Sequence, residues 1–256
     1  MSRYERVVVP CDGQPHPATV AVARGVAAHL GIPVMLFSIV SAGLEADDAV
    51  ELDRIAAELG SDVTATVQLD DGRPIAEQLA EVAGRAANLM CLPTRAKTAL
   101  IEAAFGSIGD DVVRLSEADL LVIGPNCAPS FDGTRLLIAV DGVSISEEDR
   151  HAAMDLSATF GLSPEFVTVA EAADAIAGDG AAALPHRTLT GPPAAALATV
   201  SALPGTAMIA MSPRHRRSLE RLLVGSTTRK VLRQAECPVL IRQRVPAGVA
   251  GSVGGS

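Results

Sequence analysis

Short aliphatic runs alternate with amphipathic stretches along the whole chain. The runs predict strands near residues 6–11, 33–40, 63–69, 87–92 and 119–124, and again near 135–140, 165–169, 185–189, 206–211 and 238–242. Aliphatic runs of this kind are typical of strands buried in a parallel sheet. Between them, apolar residues recur at helical spacing, as in Ile75, Leu79 and Val82. The alternation predicts doubly wound α/β architecture with right-handed crossovers.

The pattern occurs twice because the chain repeats itself. VVVPCDG (7–13) matches LLIAVDG (136–142), which pairs Asp12 with Asp141 at an offset of 129, and Gly31 pairs with Gly161 at 130. FGSIGDDVVRLSEADLLVI (105–123) matches VGSTTRKVLRQAECPVLIR (224–242) at an offset of 119. The residues missing from the second copy are expected between its second and third strands, opposite the helical stretch 44–59. Glycines 31 and 161 are expected to cap the first helix of each copy.

Two tandem domains follow, each with a doubly wound five-stranded parallel sheet. We expect the first at residues 1–126, called copy one below, and the second at 133–245, called copy two. The polar, turn-rich stretch NCAPSFDG (126–133) is the expected linker, and residues 246–256 are expected to be a disordered tail. The last strands, 120–124 and 238–242, are aliphatic edges and are expected to pair with each other inside one chain.

Composition narrows the function classes. Hydrophobic residues make up 48% of the 256-residue chain and aromatics 2%, so the core is expected to be aliphatic. A net charge of −9 argues against nucleic acid as a partner. The sequence shows neither a signal peptide nor a membrane span, which makes the cytoplasm the expected location, without membrane partners. The four cysteines form no CxxC pair and the histidines no metal-ligand spacing, so no metal is expected.

The chemistry-bearing residues fall at the carboxyl ends of the predicted strands, where doubly wound folds bind ligands. Asp12 and Asp141 end the first strand of each copy. The pairs Gly106-Ser107 and Gly225-Ser226 open the last helix of each copy. Serine is a good N-cap and glycine permits close approach to the backbone, so a helix opened in this way can hold phosphate.

These residues resemble the nucleotide site of the universal stress proteins. ATP-binding members of that family carry G-x2-G-x9-G-S/T between the fourth strand and the last helix, and SPRHRRSLERLLVGSTTRKVL (212–232) is similar to it. The resemblance implies an adenine nucleotide α-hydrolase-like fold, a cytoplasmic role in stress response, and ATP or AMP as ligand. The implied site residues in copy two are Asp141, Val169, Ser212, Arg214, His215, Arg216, Gly225, Ser226 and Thr227, and those in copy one are Asp12, Gly106 and Ser107.

Both copies depart from the motif. Its first glycine is Pro93 in copy one and Ser212 in copy two, and its second is Ala96 or His215. Pro93 has no N–H to donate, and His215 places an imidazole where bare backbone should face phosphate. Ser212 keeps the N–H that Pro93 lacks, so copy two is slightly favoured as the nucleotide site. Weak affinity for ATP is predicted there.

Two functions stay open at this point. The retained aspartates and Gly-Ser pairs favour a regulatory nucleotide-binding protein of the universal stress class. The altered glycines favour an interaction module of the same fold that acts through protein partners, which the sequence does not identify. A homodimer of chains is compatible with either function. No nucleophile and general-base pair is found, so no enzyme is expected beyond weak ATP hydrolysis.

Overall fold

The computed structural model describes residues 3–85, 87–94, 108–140, 145–170, 184–212 and 226–243. Within these ranges the chain forms ten strands, each within two residues of its predicted ends. They are β1 (Arg6–Pro10), β2 (Val34–Val40), β3 (Val63–Leu69), β4 (Asn88–Pro93), β5 (Leu120–Ile123), β6 (Arg135–Ala139), β7 (Ser163–Ala170), β8 (His186–Thr190), β9 (Thr206–Met211) and β10 (Val239–Ile241).

The same ranges contain seven helices. They are α1 (Pro17–Leu30), α2 (Glu45–Leu59), α3 (Ile75–Gly84), α4 (Ile108–Leu115), α5 (Glu147–Phe160), α6 (Pro193–Ser201) and α7 (Ser226–Gln234). Alternation of strand and helix confirms the predicted α/β class.

All ten strands belong to one sheet, in the order β3-β2-β1-β4-β5-β10-β9-β6-β7-β8. Within each half the strands lie side by side in the order third, second, first, fourth, fifth. Neighbouring strands within each half are parallel. Only the central β5–β10 contact is antiparallel among these pairs. The predicted doubly wound five-stranded halves are therefore confirmed, fused edge to edge.

Strand register confirms the repeat at single-residue resolution. In copy one Val7 pairs with Val34 and Leu89. In copy two the residues at offsets 129, 130 and 119 pair in the same way, because Leu136 pairs with Pro164 and Met208. A one-residue slip would move every side chain to the opposite face, so shared register means a shared division between the two layers of helices.

The shortening of copy two occurs at two places rather than one. The offset between equivalent paired residues is 130 at Leu36 and Phe166 but 121 at Ala65 and His186, so nine residues are lost between β7 and β8. The offset of 119 at Gly191 requires two more to be lost between β8 and α6. The expectation of a single deletion between the second and third strands was therefore wrong by those two residues.

The first helix of each half ends in the same way. Gly31 caps α1 with φ 67° and ψ 35°, and Gly161 caps α5 with φ 60° and ψ 24°. These are left-handed conformations that glycine adopts without a Cβ clash. The prediction that the two glycines end the helices is confirmed.

The two halves meet around an approximate two-fold axis. In the β5–β10 pair, Leu121 lies opposite Leu240, and these are equivalent residues at the offset of 119. Leu120 and Ile241 pair on one side of them, and Val122 and Val239 on the other. The predicted pairing of the last strands within one chain is therefore confirmed.

Helices cover both faces of the sheet and bury two apolar clusters. One face carries α1, α2 and α5, with Val26, Leu52 and Leu156 in its core. The other carries α3, α4, α6 and α7, with Val82 and Val231 in its core. Both clusters include strand residues from the two halves, so a single two-faced core runs across the junction.

The linker is packed against both halves. Phe131 is buried and meets the His29 ring edge-on, with centroids 5.6 Å apart. A Cβ at Gly25 would lie 2.8 Å from the Cβ of Phe131, so helix α1 needs glycine where the linker crosses it. The Ala128 N–H donates to the Glu236 carbonyl at 2.9 Å. The polar, turn-rich stretch thus acts as a fixed part of the domain junction.

Candidate functional site

Each half has a switch point where strands that are not consecutive lie side by side. These neighbours are β1 and β4 in copy one, and β6 and β9 in copy two. The chain leaves such a pair in opposite directions, which opens a crevice at the carboxyl ends where ligands bind in this architecture. Asp12 follows β1 by two residues, and Ser212 follows β9 directly. The predicted site residues that the structure describes therefore lie at the expected edge.

In copy one this edge offers little to a phosphate. Asp12 is exposed, beyond Cys11, whose N–H donates to the Phe37 carbonyl at 2.9 Å. Pro93 ends β4 and has no N–H. The N–H of buried Thr94 already donates to the Ile123 carbonyl at 2.9 Å. The first positions of the phosphate loop thus have no available backbone donor.

The corresponding edge of copy two keeps the same backbone frame. The Val140 N–H donates to the Val167 carbonyl at 3.0 Å, as Cys11 does to Phe37 in copy one. Val169 lies in β7, two residues beyond that contact, and its side chain is half-buried. Ser212 is exposed at the end of β9, where copy one has proline. The structure thus places Val169 and Ser212 at one edge.

Two predicted site residues lie at the start of the described part of α7. Ser226 is its first residue and is exposed, and Thr227 is half-buried beside it. In copy one α4 begins at Ile108, the residue after the predicted Gly106-Ser107 pair. Seven candidate residues lie outside the described ranges and stay predictions: Gly106, Ser107, Asp141, Arg214, His215, Arg216 and Gly225.

The two last helices differ most in charge at their N-terminal turns. Helix α4 has Asp110 and Asp111 in its first turn, whereas α7 has no acidic residue there and carries Arg229 and Lys230. These are equivalent positions at the offset of 119. The opposite charges are visible when the two repeats are aligned residue by residue, but they belong to no known motif. A helix N-terminus attracts negative charge, so copy one supplies its own carboxylates and copy two does not.

Acidic residues continue around the edge of copy one. The loop after β3 is held by its own carboxylates. Asp70 accepts bonds from the Gly72 N–H at 3.0 Å and the Gln78 amide at 2.7 Å, and Asp71 pairs with Arg73 at 2.5 Å. The hydrogen bond from Arg73 lowers the pKa of the Asp71 carboxyl. The first turn of α2, after β2, adds Glu45, Asp47 and Asp48.

The described groups near Asp12 do not form a reactive pair. Burial raises the pKa of the Cys11 thiol to about 12, and its Sγ lies 3.6 Å from the Phe37 carbonyl oxygen. The thiol is therefore protonated at neutral pH and is a poor nucleophile. His16 lies directly before α1, with Nδ1 3.4 Å from the Thr19 hydroxyl, so it is part of the helix start.

The described residues contain neither a metal-ligating cluster nor a membrane-spanning helix. Within those ranges no three His, Cys, Asp or Glu side chains cluster in a way that could hold a metal ion. Among the described helices, none is both long enough and apolar enough to cross a bilayer.

Comparison with solved structures places this architecture among known folds. A universal stress protein from Archaeoglobus fulgidus DSM 4304 matches with TM-score 0.63 and 14% identity, over 95% of this chain and 98% of that one. A functionally unknown protein from Pseudomonas aeruginosa PAO1 matches with TM-score 0.61 and 16% identity, over 93% and 92%. The cytoplasmic domain of a prokaryotic cation chloride cotransporter matches with TM-score 0.50 and 12% identity, over 93% and 95%. At these identities the likeness concerns the fold.

A search of the curated proteins finds no match. The model of the universal stress protein family, however, matches the chain twice, over residues 3–124 and 143–242. The first segment contains β1 to β5, and the second begins after β6 and contains β7 to β10. By the repeat, the strand order and this double match, the chain belongs to the universal stress protein family, as a member with two copies of the domain in tandem.

Proposed function

We propose that this universal stress protein is a regulatory protein that binds adenine nucleotide, ATP or AMP, weakly and through copy two alone. Copy one, in this proposal, has kept the fold and given up the phosphate site. The family and the fold support a universal stress protein role. The difference between the N-terminal turns of α4 and α7 supports the restriction to copy two.

The charge on α7 is the observation that carries the proposal. Each cation in the first turn of a helix faces the positive end of the helix dipole, which is unfavourable by about 0.3–1 kcal/mol. Helix α7 nevertheless has Arg229 at the end of that turn and the exposed Lys230 directly after it, and its first turn contains no acidic residue. Arg229 is paired with Asp110 of α4 at 3.0 Å, so Lys230 is the cation that this helix presents to solvent. Residues that break a local rule of stability commonly mark a functional site. A phosphate at Ser226 would offset the unfavourable charge, because it is attracted by both the helix dipole and the exposed Lys230.

Features of copy one also support the restriction of nucleotide binding to copy two. Asp110 and Asp111 occupy the first turn of α4, where Asp110 is paired with Arg229 and the more exposed Asp111 repels phosphate. Pro93 and Thr94 have no N–H available at the end of β4. The same fold therefore presents a favourable and an unfavourable anion site at equivalent places.

A second candidate function is the partner-binding module without nucleotide. The acidic edge of copy one favours it, because a row of exposed carboxylates can bind a basic protein segment electrostatically. The resemblance in fold to the cytoplasmic domain of a transporter is compatible with such a role. The nucleotide experiment separates the two candidates.

Small molecules released from freshly purified protein are analysed for adenine nucleotide by mass spectrometry, and ATP is titrated calorimetrically into three proteins. Wild type is expected to bind in the micromolar range or more weakly, at about −8 kcal/mol at best. His215→Gly is expected to strengthen binding by removing the imidazole from the phosphate loop. Gly225→Val is expected to abolish it by blocking approach to the backbone.

Binding that survives Gly225→Val unchanged would contradict the proposed site. If neither wild type nor His215→Gly gives heat, and no nucleotide is released, the partner-binding module becomes the better account.

A further inference from the structure

Equivalent residues of the two copies face each other where the halves meet. Leu121 lies opposite Leu240 in the central strand pair. On the neighbouring helices, the Asp110 carboxylate lies 3.0 Å from the Arg229 guanidinium, and these two residues are also equivalent at the offset of 119. The repeat axis therefore brings one position of the domain against its own counterpart, with opposite charge on the two sides.

The Asp110 side of this ion pair is largely withdrawn from water, and the Arg229 side is partly exposed. The Asp110 side chain is 11% exposed and that of Arg229 38%. The second carboxylate oxygen of Asp110 and Nε of Arg229 are buried, with no hydrogen-bond partner among the described residues. The pair is thus held by one contact and leaves two polar atoms unsatisfied, which is an expensive way to gain stability.

The protonation behaviour of Asp110 agrees with that geometry. Burial raises the pKa of its carboxyl, more than the attraction of Arg229 lowers it. A buried ion pair whose desolvation exceeds its attraction contributes little net stability, but removal or reversal of one partner is strongly unfavourable. The Asp110–Arg229 pair can therefore disfavour a junction between like halves without stabilising the junction between unlike halves.

Further polar contacts across the boundary also need unlike halves. The backbone N–H of Gln243 in copy two donates to the Asp119 carboxylate of copy one at 2.9 Å. The equivalent of Asp119 in copy two is Pro238, which offers no carboxylate. Arg3 of copy one lies 3.7 Å from Asp155 of copy two. Two second copies brought together would therefore lose the acceptor for Gln243.

We propose that the last-strand surface is a specificity device that accepts only an unlike half, so that copy one pairs with copy two and like halves are rejected. In a pair of first copies, Asp110 would face a second Asp110 in a buried site. In a pair of second copies, Arg229 would face a second Arg229. Like charges brought together in a site of which one side is buried repel each other strongly, which is enough to decide between otherwise similar apolar strand edges.

The test uses the full chain and a charge exchange. Asp110→Arg, Arg229→Asp and the double exchange are compared with wild type by urea unfolding. Each single reversal puts like charges at the junction and is expected to raise the unfolding equilibrium constant at least about a hundredfold. The double exchange restores opposite charges and is expected to return within about tenfold of wild type, which is a large coupling between the two sites.

Asp111→Lys is the matched control, since it reverses the neighbouring charge on the same helix, where the side chain is 42% exposed and paired with Arg114. It is expected to change stability little. If a single reversal prevents folding, recovery of folded protein in the double exchange supports the proposal and failure to recover overturns it. Single reversals as stable as wild type, or a double exchange as unstable as the sum of the singles, would also overturn it.

Discussion

Copies one and two share their strand register residue for residue, yet they differ in charge at the start of the last helix, where the two copies meet. Val7 and Leu136 occupy the same place in the sheet and make equivalent pairs. Asp110 and Arg229 also occupy equivalent places but carry opposite charges. The register of buried strands is fixed by packing against many neighbours. Charged residues at a helix N-terminus can be substituted without disturbing the core. The two copies have therefore kept the same scaffold while the charges on their surfaces have diverged.

The same contrast appears where each half touches the last helix of the other. Gly124 directly follows β5, and a Cβ there would lie 2.3 Å from the Leu232 carbonyl oxygen on α7. Its equivalent in copy two is Gln243, whose side-chain amide donates to the Val113 carbonyl on α4 at 2.9 Å. Leu232 and Val113 are themselves equivalent. One position thus makes close backbone contact in one half and a side-chain hydrogen bond in the other.

The largest loss of stability is expected from a substitution at the tighter of these two contacts. In Gly124→Ala the new methyl group meets backbone rather than a mobile side chain, so strand and helix must separate. Overpacking of this kind is expected to lower the free energy of unfolding by about 2–3 kcal/mol, measured by urea denaturation.

Gln243→Ala is the comparison in the other half. It removes the hydrogen bond to Val113 and is expected to cost about 1 kcal/mol. Equal losses in the two variants would contradict the difference in packing between the halves.

A smaller effect concerns the pH dependence of the charged junction. Burial raises the pKa of Asp110 against the opposing influence of Arg229 and Arg233, and Asp111 raises it further. Between the ordinary carboxyl pKa and the raised folded pKa, the folded state therefore holds a proton that the unfolded state has lost. The contribution of Asp110 to stability is then full below the unfolded pKa and is lost as pH rises through the folded value.

In Asp110→Asn this decline is expected to disappear, whatever the change in overall stability. Urea unfolding of both proteins from pH 3.5 upward measures the difference in slope. Parallel pH profiles for the two proteins would show that Asp110 titrates normally in the fold.

Much of the fold could be predicted because its determinants are local or repeated. The aliphatic runs gave every described strand within two residues, and glycines 31 and 161 marked helix ends through their backbone freedom. The offsets also implied the shared register. The second, smaller deletion after β8 was missed because the alternation within a short edge strand does not reveal where its pairing begins.

The candidate site was less accessible to sequence reasoning. The positions of Asp12, Ser212 and Ser226 at the carboxyl edge follow from strand and helix ends. The pairing of Asp110 with Arg229 depends on how two helices approach across the junction, and no local pattern contains that information. The opposite charges at 111 and 230 were visible in the aligned repeats, but their meaning required the helix starts to be known.

The central claim is that phosphate binding survives in copy two alone, and a matched pair of charge reversals tests it most directly. ATP is titrated calorimetrically at low salt into wild type, Lys230→Asp and Asp111→Lys, two variants that reverse equivalent charges in the two halves. Lys230→Asp is expected to weaken binding about tenfold, because it removes attraction at the start of α7 and adds repulsion. Asp111→Lys is expected to leave the affinity unchanged. Equal weakening by both variants, or loss of binding through the copy one variant alone, would contradict the account.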